Sequence, residues 1–550
     1  VPESSSISML LPDFPFSYDE FLRNPAGVGS VPEDQLGTEI AIVGAGAAGL
    51  LAGYQAIALG LKPVIYDAEG IGGRLRGVEV PGSGGLIADM GGMRFPKSSL
   101  AFWHFADLLG VESTPFPNPL TSASPGTTID ILGRTVRANT AADLPEVYQT
   151  VQEAWKACLG ERASFDEMQE AIRSRDEETI KRLWNELVPR FDDTSFWAYL
   201  STSEAFGRLP FEAKEAFGMI GFGSGGWDVS FPNAILEILR VVFVDAEEDH
   251  RRITGGAKTF TDLLWSQAPE NPAHWPAGTS LASLHNGTPL GAVTHIKNTG
   301  NGVAITDASG TTREYSAAIV TAHKGLLSTK INTDESLFTP EVWMAMRRTH
   351  YLQSSKTFIA VDRPFWNDTD PETGLNAMST TLTDRVTRGT YLFDNGPGRP
   401  GLICLSYTWN DDSLQWAPLS AEERADIAIR NLEEIYPGLD LRSHVIGSPV
   451  AVSWENEPNY AGAFKINLPG HYRYQRSLYS HFIEASPEDG PQRVFLAGDD
   501  VSWTAGWIEG AVTTALNAIW GVQRTLGGSS HSQNPGPGER WNDLMPVVLP

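Results

Sequence analysis

The sequence predicts an α/β fold: a Rossmann-like nucleotide-binding domain joined to a mixed-sheet domain and a helical insertion. Three observations predict it. A strand, a glycine turn, a helix and a second strand follow one another over residues 39–67. Apolar residues recur at three- and four-residue spacing through 141–218, and β-type segments fill 289–322 and parts of 330–480. A second strand–glycine–acid–helix unit arrives near residue 498. If both units touch one ligand, their domain is discontinuous and the rest of the chain is inserted into it.

Strand Glu39–Val43 is apolar and runs into Gly44. Helix Ala47–Leu59 is closed by Gly60, and strand Pro63–Tyr66 completes a βαβ start. The segments VYQTVQEAWKACL and TIKRLWNELV place apolar side chains on one helical face with charges between. Asn233–Val244 is a further apolar helix. The stretch GAVTHIKNTGNGVAITDASG reads as strands joined by NTGNG and DASG turns, and REYSAAIVTA as another strand. KTFIAVD, GTYLFDN and GLICLSYTW are strands, and AEERADIAIRNLEEIY is a helix. VFLAG is a strand, followed by a helix from about Ile508 to Leu526. Residues 1–35, rich in Pro and Ser, read as an arm packed on the body.

Composition narrows the function. The 550 residues are 41% hydrophobic and 20% charged, as in a globular protein of two or three domains. A net charge of −26 repels phosphate backbones and disfavours nucleic-acid binding. Cys158 and Cys404 cannot make a disulfide framework or a zinc site, and the eleven histidines show no metal-ligand spacing. No metal is expected. The apolar run Ile40–Leu61 has the length of a membrane span, but its glycines mark a buried strand and helix instead. No secretory signal is visible, so a cytoplasmic location and no membrane association are expected.

The strongest motif is Gly44-Ala45-Gly46-Ala47-Ala48-Gly49. Gly44 allows the tight turn, Gly46 lets backbone approach a pyrophosphate, and Gly49 permits close helix–strand packing. Asp67 ends the second strand, where an acid would bind the adenosine ribose. A second cluster, Gly72-Gly73-Arg74 with Gly91-Gly92-Met93-Arg94, suits backbone wrapped around an extended cofactor. In a third, Gly498-Asp499-Asp500 ends a strand and Gly506-Trp507-Ile508 opens a helix. An acid there can bond a ribityl hydroxyl, and a helix N-terminus can stabilise negative charge on a reduced flavin. Gly255-Gly256-Ala257-Lys258-Thr259 falls short of a Walker A loop and reads as a turn near the cofactor.

Taken together, IAIVGAGAAGL, GGRLR, GGMRFP, SSKTF, LSYTW and AGDD…GWIEGAVTTALNA resemble the amine-oxidase class of flavoproteins. More narrowly the chain resembles bacterial FAD-dependent L-amino-acid oxidase/monooxygenases of the lysine 2-monooxygenase type, with tryptophan 2-monooxygenase more distant. The likeness runs from about Asp13 to the NPGPG tail and includes NPAGVGS and LPGHYRY. It implies a glutathione-reductase-type FAD domain assembled from residues 31–110, 251–330 and 485–530. A largely helical domain at 111–250, a substrate domain at 331–484 and packed arms at 1–30 and 531–550 complete the expectation. FAD would be held non-covalently by Gly44, Gly46, Gly49, Asp67, Gly72, Gly73, Arg74, Gly92, Met93, Arg94, Gly498, Asp499, Trp507 and Ile508. No cysteine neighbours Trp507 or Lys356 along the chain to attach it. The resemblance also implies a homodimer.

Site roles follow from the same resemblance. Arg94 would pair with a substrate carboxylate, Tyr407 would add a hydroxyl to it, and Lys356 would hold a water next to flavin N5. Trp409 and Trp507 would wall the pocket. The residues themselves favour function for Lys356, because a charge in an apolar strand is costly. The substrates implied are an L-amino acid and O2, with hydride leaving Cα for N5. Retention of the imino acid gives oxidative decarboxylation to an amide one carbon shorter; its release gives a 2-oxo acid, ammonia and H2O2. Lysine-type members carry a second acid where this chain has Ser230 in Trp227-Asp228-Val229-Ser230-Phe231. In the lysine enzymes that acid would hold the distal ammonium, so Ser230 speaks against lysine and leaves room for a longer side chain. The basic substrate expected is arginine, or else lysine, with Asp228 or the acidic run as its partner, and a neutral aromatic or aliphatic amino acid is the alternative. The acidic run Asp245, Glu247, Glu248, Asp249 reads as a solvated loop. The competing classes are a non-catalytic flavin- or NAD-binding protein and a desaturase of the same cofactor fold.

Overall fold

The computed structural model describes residues 7–221, 227–246, 249–396, 398–484 and 490–550. The glycine-rich unit forms as its sequence dictates. Strand β1 (Glu39–Val43), helix α1 (Ala47–Ala58) and strand β2 (Lys62–Tyr66) make a right-turning parallel start. Two distant strands complete the sheet: β3 (Ala318–Val320) lies on β1, and β4 (Val494–Leu496) lies on β3. All four are parallel, in the order β2-β1-β3-β4. Helix α2 (Ile508–Thr525) follows β4 and packs against α1. Both helices are buried along most of their length, which explains why they read as nearly all apolar rather than striped.

The segment read as one strand, REYSAAIVTA, is split. Thr312–Tyr315 closes an antiparallel meander with Val293–Asn298 and Val303–Asp307, and then β3 turns into the parallel sheet. Alternation marks both pieces but not the break between them.

A seven-stranded sheet forms the second layer. Strand Ser354–Val361 is buried at every position and lies between Gly401–Trp409 and Val445–Ser453. Gly389–Phe393 and Thr381–Thr383 extend the sheet. Its edge comes from residues expected to be largely helical. Thr127–Ile131 pairs with Thr381–Thr383, and Arg134–Ala138 pairs with Thr127–Ile131. The hairpin turns through Leu132 (φ +52°) and Gly133 (φ +71°), a left-handed pair that matches strand twist. Helices Glu146–Ala163, Phe165–Ser174 and Glu177–Phe191 follow, as periodicity predicts.

The two terminal arms meet. Ser30 bridges Ser529, and Asn534 donates to the carbonyls of Phe21 and Gly27 at 2.9 Å each. Phe14 packs at a tilt against Trp541 (5.3 Å between ring centres) and Tyr479 (5.8 Å), so the arms share one aromatic core with the body. Among the described residues no helix is long and apolar enough to cross a membrane.

The hairpin depends on Asp130, which is 3% exposed. It accepts from Thr135 (2.7 Å), Thr383 (3.0 Å) and Arg385 (2.9 Å), tying the edge to its neighbour. Asp130→Ala strands these donors and should cost about 1–3 kcal/mol. The check is urea unfolding, with a lower midpoint at unchanged slope.

Candidate functional site

A cavity of about 620 Å³ runs between the parallel sheet and the seven-stranded sheet. That is ample for a large ligand. Its floor is the paired glycine turns. Gly44 (φ +117°) donates to the Tyr66 carbonyl at 2.7 Å, and a Cβ there would lie 2.2 Å from Thr321 Oγ1. A Cβ on Gly49 would lie 1.9 Å from the Gly44 carbonyl oxygen. Gly46 differs: it starts α1 without a side-chain cap and faces Gly72 and Gly73 across a backbone bridge. The first-turn N–H groups of α1 thus keep their positive potential for an anion. Asp67 accepts from the N–H groups of Ala45 (2.7 Å), Glu69 (2.7 Å) and Gly70 (2.8 Å), and it also lines the cavity. Burial pushes its carboxyl up, against those three bonds.

Arg74 bridges to the other end of the chain. It pairs with Asp499 and donates to the Ala463 carbonyl at 3.0 Å. Asp499 also accepts from Gly506 N–H at 3.0 Å, next to the start of α2. Gly92, Met93, Gly498, Trp507 and Ile508 line the same cavity. Trp507 is the N-cap of α2 and its side chain makes no cap bond, so this second helix end also faces the cavity uncapped. Beneath Asp499, the buried Asp500 is held by Lys324 (3.3 Å) and Tyr351. These features fit a dinucleotide with a pyrophosphate at α1 and a ring system at α2.

The reactive end gathers four of the expected residues. Lys356 is 2% exposed, and its Nζ donates to the carbonyls of Asp89 (3.1 Å) and Gly91. Burial lowers its pKa to about 8, with Cys404 and Asp89 pulling the other way. Its ammonium lies 4.7 Å from the centre of the Tyr407 ring, and the Arg94 guanidinium lies 5.7 Å from the same centre. Tyr407 is pushed up by burial, with Arg94 opposing. Trp409 packs edge-on against Tyr407 (5.6 Å) and Phe464 (5.5 Å). Register explains the convergence: Lys356 and Tyr407 are direct partners across neighbouring strands. The Gly255–Thr259 turn sits here too, because Ala257 N–H donates to Asp89 Oδ1 at 2.8 Å.

The chain-level absence of a cysteine near Lys356 does not hold in space. Cys404 lies on the strand beside it and interacts with it electrostatically. Cys404 is fully buried, its thiol is pushed up to about 12 by burial, and it does not line the cavity.

The two side-chain candidates part company. Ser230 lines the cavity. Asp228 does not line it; it pairs with Arg388 at 3.1 Å, and Arg388 also pairs with Asp412 at 2.8 Å. Burial lifts Asp228 to about 6 despite Arg388. The turn at 222–226 before Trp227 lies outside the described residues, as do Glu247 and Glu248. Asp245 accepts from Gln169 and Asp249 pairs with Lys97.

Sequence reasoning missed His250 and Glu237. His250 is buried between Asn118 (2.9 Å) and the Ala246 carbonyl (2.7 Å), 5.5 Å from the Trp507 ring. Burial and then Arg94 lower its pKa to about 3, so it is neutral. Glu237 lines the cavity from helix Ile235–Phe243. Its signal was present: a Glu and an Arg three apart in the apolar text ILEILRVVF.

Known proteins resemble this chain in sequence and in fold. Tryptophan 2-monooxygenase of Pseudomonas savastanoi is 29% identical over 562 aligned residues, covering 95% of this chain and 96% of that protein. An L-amino-acid oxidase of Siganus canaliculatus is 25% identical over 95% of this chain and 92% of its own length. Putrescine oxidase bound to putrescine superposes with a TM-score of 0.65 at 18% identity, over 90% of this chain and 98% of that one. Cyclohexylamine oxidase from Brevibacterium oxydans IH-35A gives 0.64 at 17%, over 89% of this chain and all of that one, which speaks to the fold. The family model described as flavin containing amine oxidoreductase matches residues 47–519, from the first helix after the glycine turn into α2. With both helix ends and the buried lysine inside that span, the chain belongs to the flavin-containing amine oxidoreductases and is a flavin-dependent oxidoreductase.

Proposed function

We propose that this enzyme oxidises a free L-α-amino acid at Cα and, with O2, converts it to the amide one carbon shorter, CO2 and water. The observation that carries the reading is the pairing of Arg94 and Lys356 on one aromatic ring at the wall of the cavity. A simple amine offers nothing for a second cation beside the lysine; an α-amino acid offers a carboxylate.

Bound FAD supplies the two-electron acceptor and the partner for O2. Arg94 holds the carboxylate, with a fork geometry suited to two oxygens, and Tyr407 adds its hydroxyl. Trp409 and Trp507 exclude water, which favours the neutral amine needed for Cα–H to leave as hydride. Lys356, anchored by two carbonyls, holds a water or a proton at Nζ. Arg94 also resists escape of the imino acid, and retention is the condition for decarboxylation. The relatives named tryptophan 2-monooxygenase support this outcome.

The relative named L-amino-acid oxidase favours a second reading: amino acid, O2 and water giving 2-oxo acid, ammonia and H2O2. A basic side chain, arginine or lysine, was expected to meet Asp228. The Asp228–Arg388 pair withdraws support from that choice.

Anaerobic mixing with a panel of amino acids should bleach the flavin, and mass analysis after aeration should find the amide as the dominant product. A dominant 2-oxo acid with stoichiometric H2O2 would select the second reading. Arg94→Ala should lower kcat/KM by roughly 100- to 1,000-fold with much of the loss in KM, as expected for a bidentate charged contact. Lys356 is protonated below about pH 8 and loses its proton above. Flavin reduction in the wild type should therefore carry an inflection near that pH. A Lys356→Met enzyme should lack it.

A further inference from the structure

Another part of the cavity wall is electrically unusual. Helix Ile235–Phe243 presents Glu237, Ile238 and Val241 to the cavity, positions that share one helical face. Glu237 is the carboxylate of this wall, and it is 7% exposed. Arg240 Nη1 and Asn467 Nδ2 (2.8 Å) both donate to its Oε1. Burial would raise its pKa, but Arg240, Lys465 and the Asn467 side chain and backbone together hold it below the usual range. A carboxylate accepts about four hydrogen bonds. Capacity therefore remains for a ligand in the cavity.

The support behind Glu237 is deeper still. Arg240 is 1% exposed and donates through Nε (2.6 Å) and Nη2 (3.0 Å) to both oxygens of Asp13. Asp13 is fully buried, also accepts from Trp184 Nε1 (2.9 Å), and belongs to the N-terminal arm. The guanidinium lies 4.9 Å from the centre of the Trp503 ring, which also lines the cavity. Lys465 stands behind, bonded to Gln475 and the Ser502 carbonyl (3.3 Å). Burial lowers its pKa to about 8, opposed by Glu237, so it is cationic at neutral pH. Two anions, Asp13 and Glu237, face two cations, Arg240 and Lys465. Each anion is thus matched by a cation before any ligand arrives, with Lys181 also acting on Asp13, and Asp500 and Asp499 also acting on Lys465. A cationic side chain would add an uncompensated buried charge. A neutral N–H would add only a hydrogen bond.

Resting on the amino-acid reading above, we propose that Glu237 is the specificity-determining acceptor for the far end of the substrate side chain. It selects a neutral N–H donor there, and Asp13 acts through Arg240 as a positioning residue. The N-terminal arm is in this way part of the substrate pocket.

The flavin-loaded full chain tests this by anaerobic flavin reduction with tryptophan, 1-methyltryptophan, phenylalanine and arginine. Tryptophan and its 1-methyl analogue differ at the donor, so wild-type kcat/KM should fall by about 10- to 100-fold on methylation, the range of a hydrogen bond to a charged group. This comparison needs no variant and survives any folding defect. In Glu237→Gln, Arg240 and Asn467 keep the amide oxygen and turn its NH2 toward the cavity, donor against donor. Tryptophan should then lose 10- to 100-fold and phenylalanine less than about threefold. Asp13→Asn should reduce the tryptophan-to-phenylalanine ratio in the same direction, through KM more than through the limiting rate. General damage would lower all substrates together. An unchanged ratio in Glu237→Gln, no effect of methylation, or a wild-type preference for arginine over tryptophan overturns the proposal. A wild-type flavin that no amino acid reduces fells the reaction reading instead, and this inference with it.

Discussion

The Arg74–Asp499 pair is the constraint on which the rest of the structure depends. It joins residues 425 apart in sequence and sits where the glycine turns meet the start of α2. It reinforces, at the cavity itself, a link that the shared parallel sheet and the packing of α2 on α1 already make. Its partial burial makes the pairing obligatory, since either charge alone would face a desolvation cost with nothing to offset it. The neighbouring Asp500–Lys324–Tyr351 cluster repeats the device one residue later. Two consecutive acids after Gly498 thus fasten β4 to β3 and to the glycine-turn segment. That fixes the direction in which both helix N-termini point.

This division of labour explains what the sequence reveals. The glycine turns, α1 and α2 are legible because their chemistry is local: a turn needs glycine at fixed offsets whatever lies across from it. Lys356 is legible for the opposite reason, as a charge with no local excuse in an apolar strand. The hairpin at 127–138 is not legible. Its turn uses Leu132 before Gly133, not the Asn or Asp that advertises such a turn, and its strand partner is some 250 residues away. Asp228 shows the same limit at the site. Its residue type suits a cation, but the cation it meets is Arg388, which no local pattern connects to it. Glu237 was readable in principle, since an acid and a base one turn apart in an apolar helix announce a buried pair.

Charge is distributed on two scales. The surface is strongly acidic, and the interior of the site is compensated group by group. At the reactive end Arg94 and Lys356 leave a positive balance against the nearby Asp89, which burial lifts to about 6. His250, kept neutral by burial and by Arg94, packs close to Trp507 without adding a competing charge. Under the proposed amino-acid reading, a zwitterion would meet cations at its carboxylate end and a compensated cluster at Glu237. Such an asymmetry would orient that substrate before any contact specific to its side chain forms.

The same asymmetry bears on the partition between the two possible products. In the proposed reaction, release of the imino acid would require its carboxylate to leave Arg94 and its side chain to leave Glu237. Both anchors are backed by rigid elements: Arg94 follows the glycine turn that Lys356 pins, and Glu237 is backed by Arg240 and Asp13. A product held at two ends dissociates more slowly than one held at either, because both contacts must open together. On the proposed reading, retention, and with it decarboxylation, would be a property of the whole scaffold rather than of a residue at the reacting carbon. On that reading the terminal arm would enter the chemistry through Asp13, which touches no reacting atom but holds Arg240 behind Glu237.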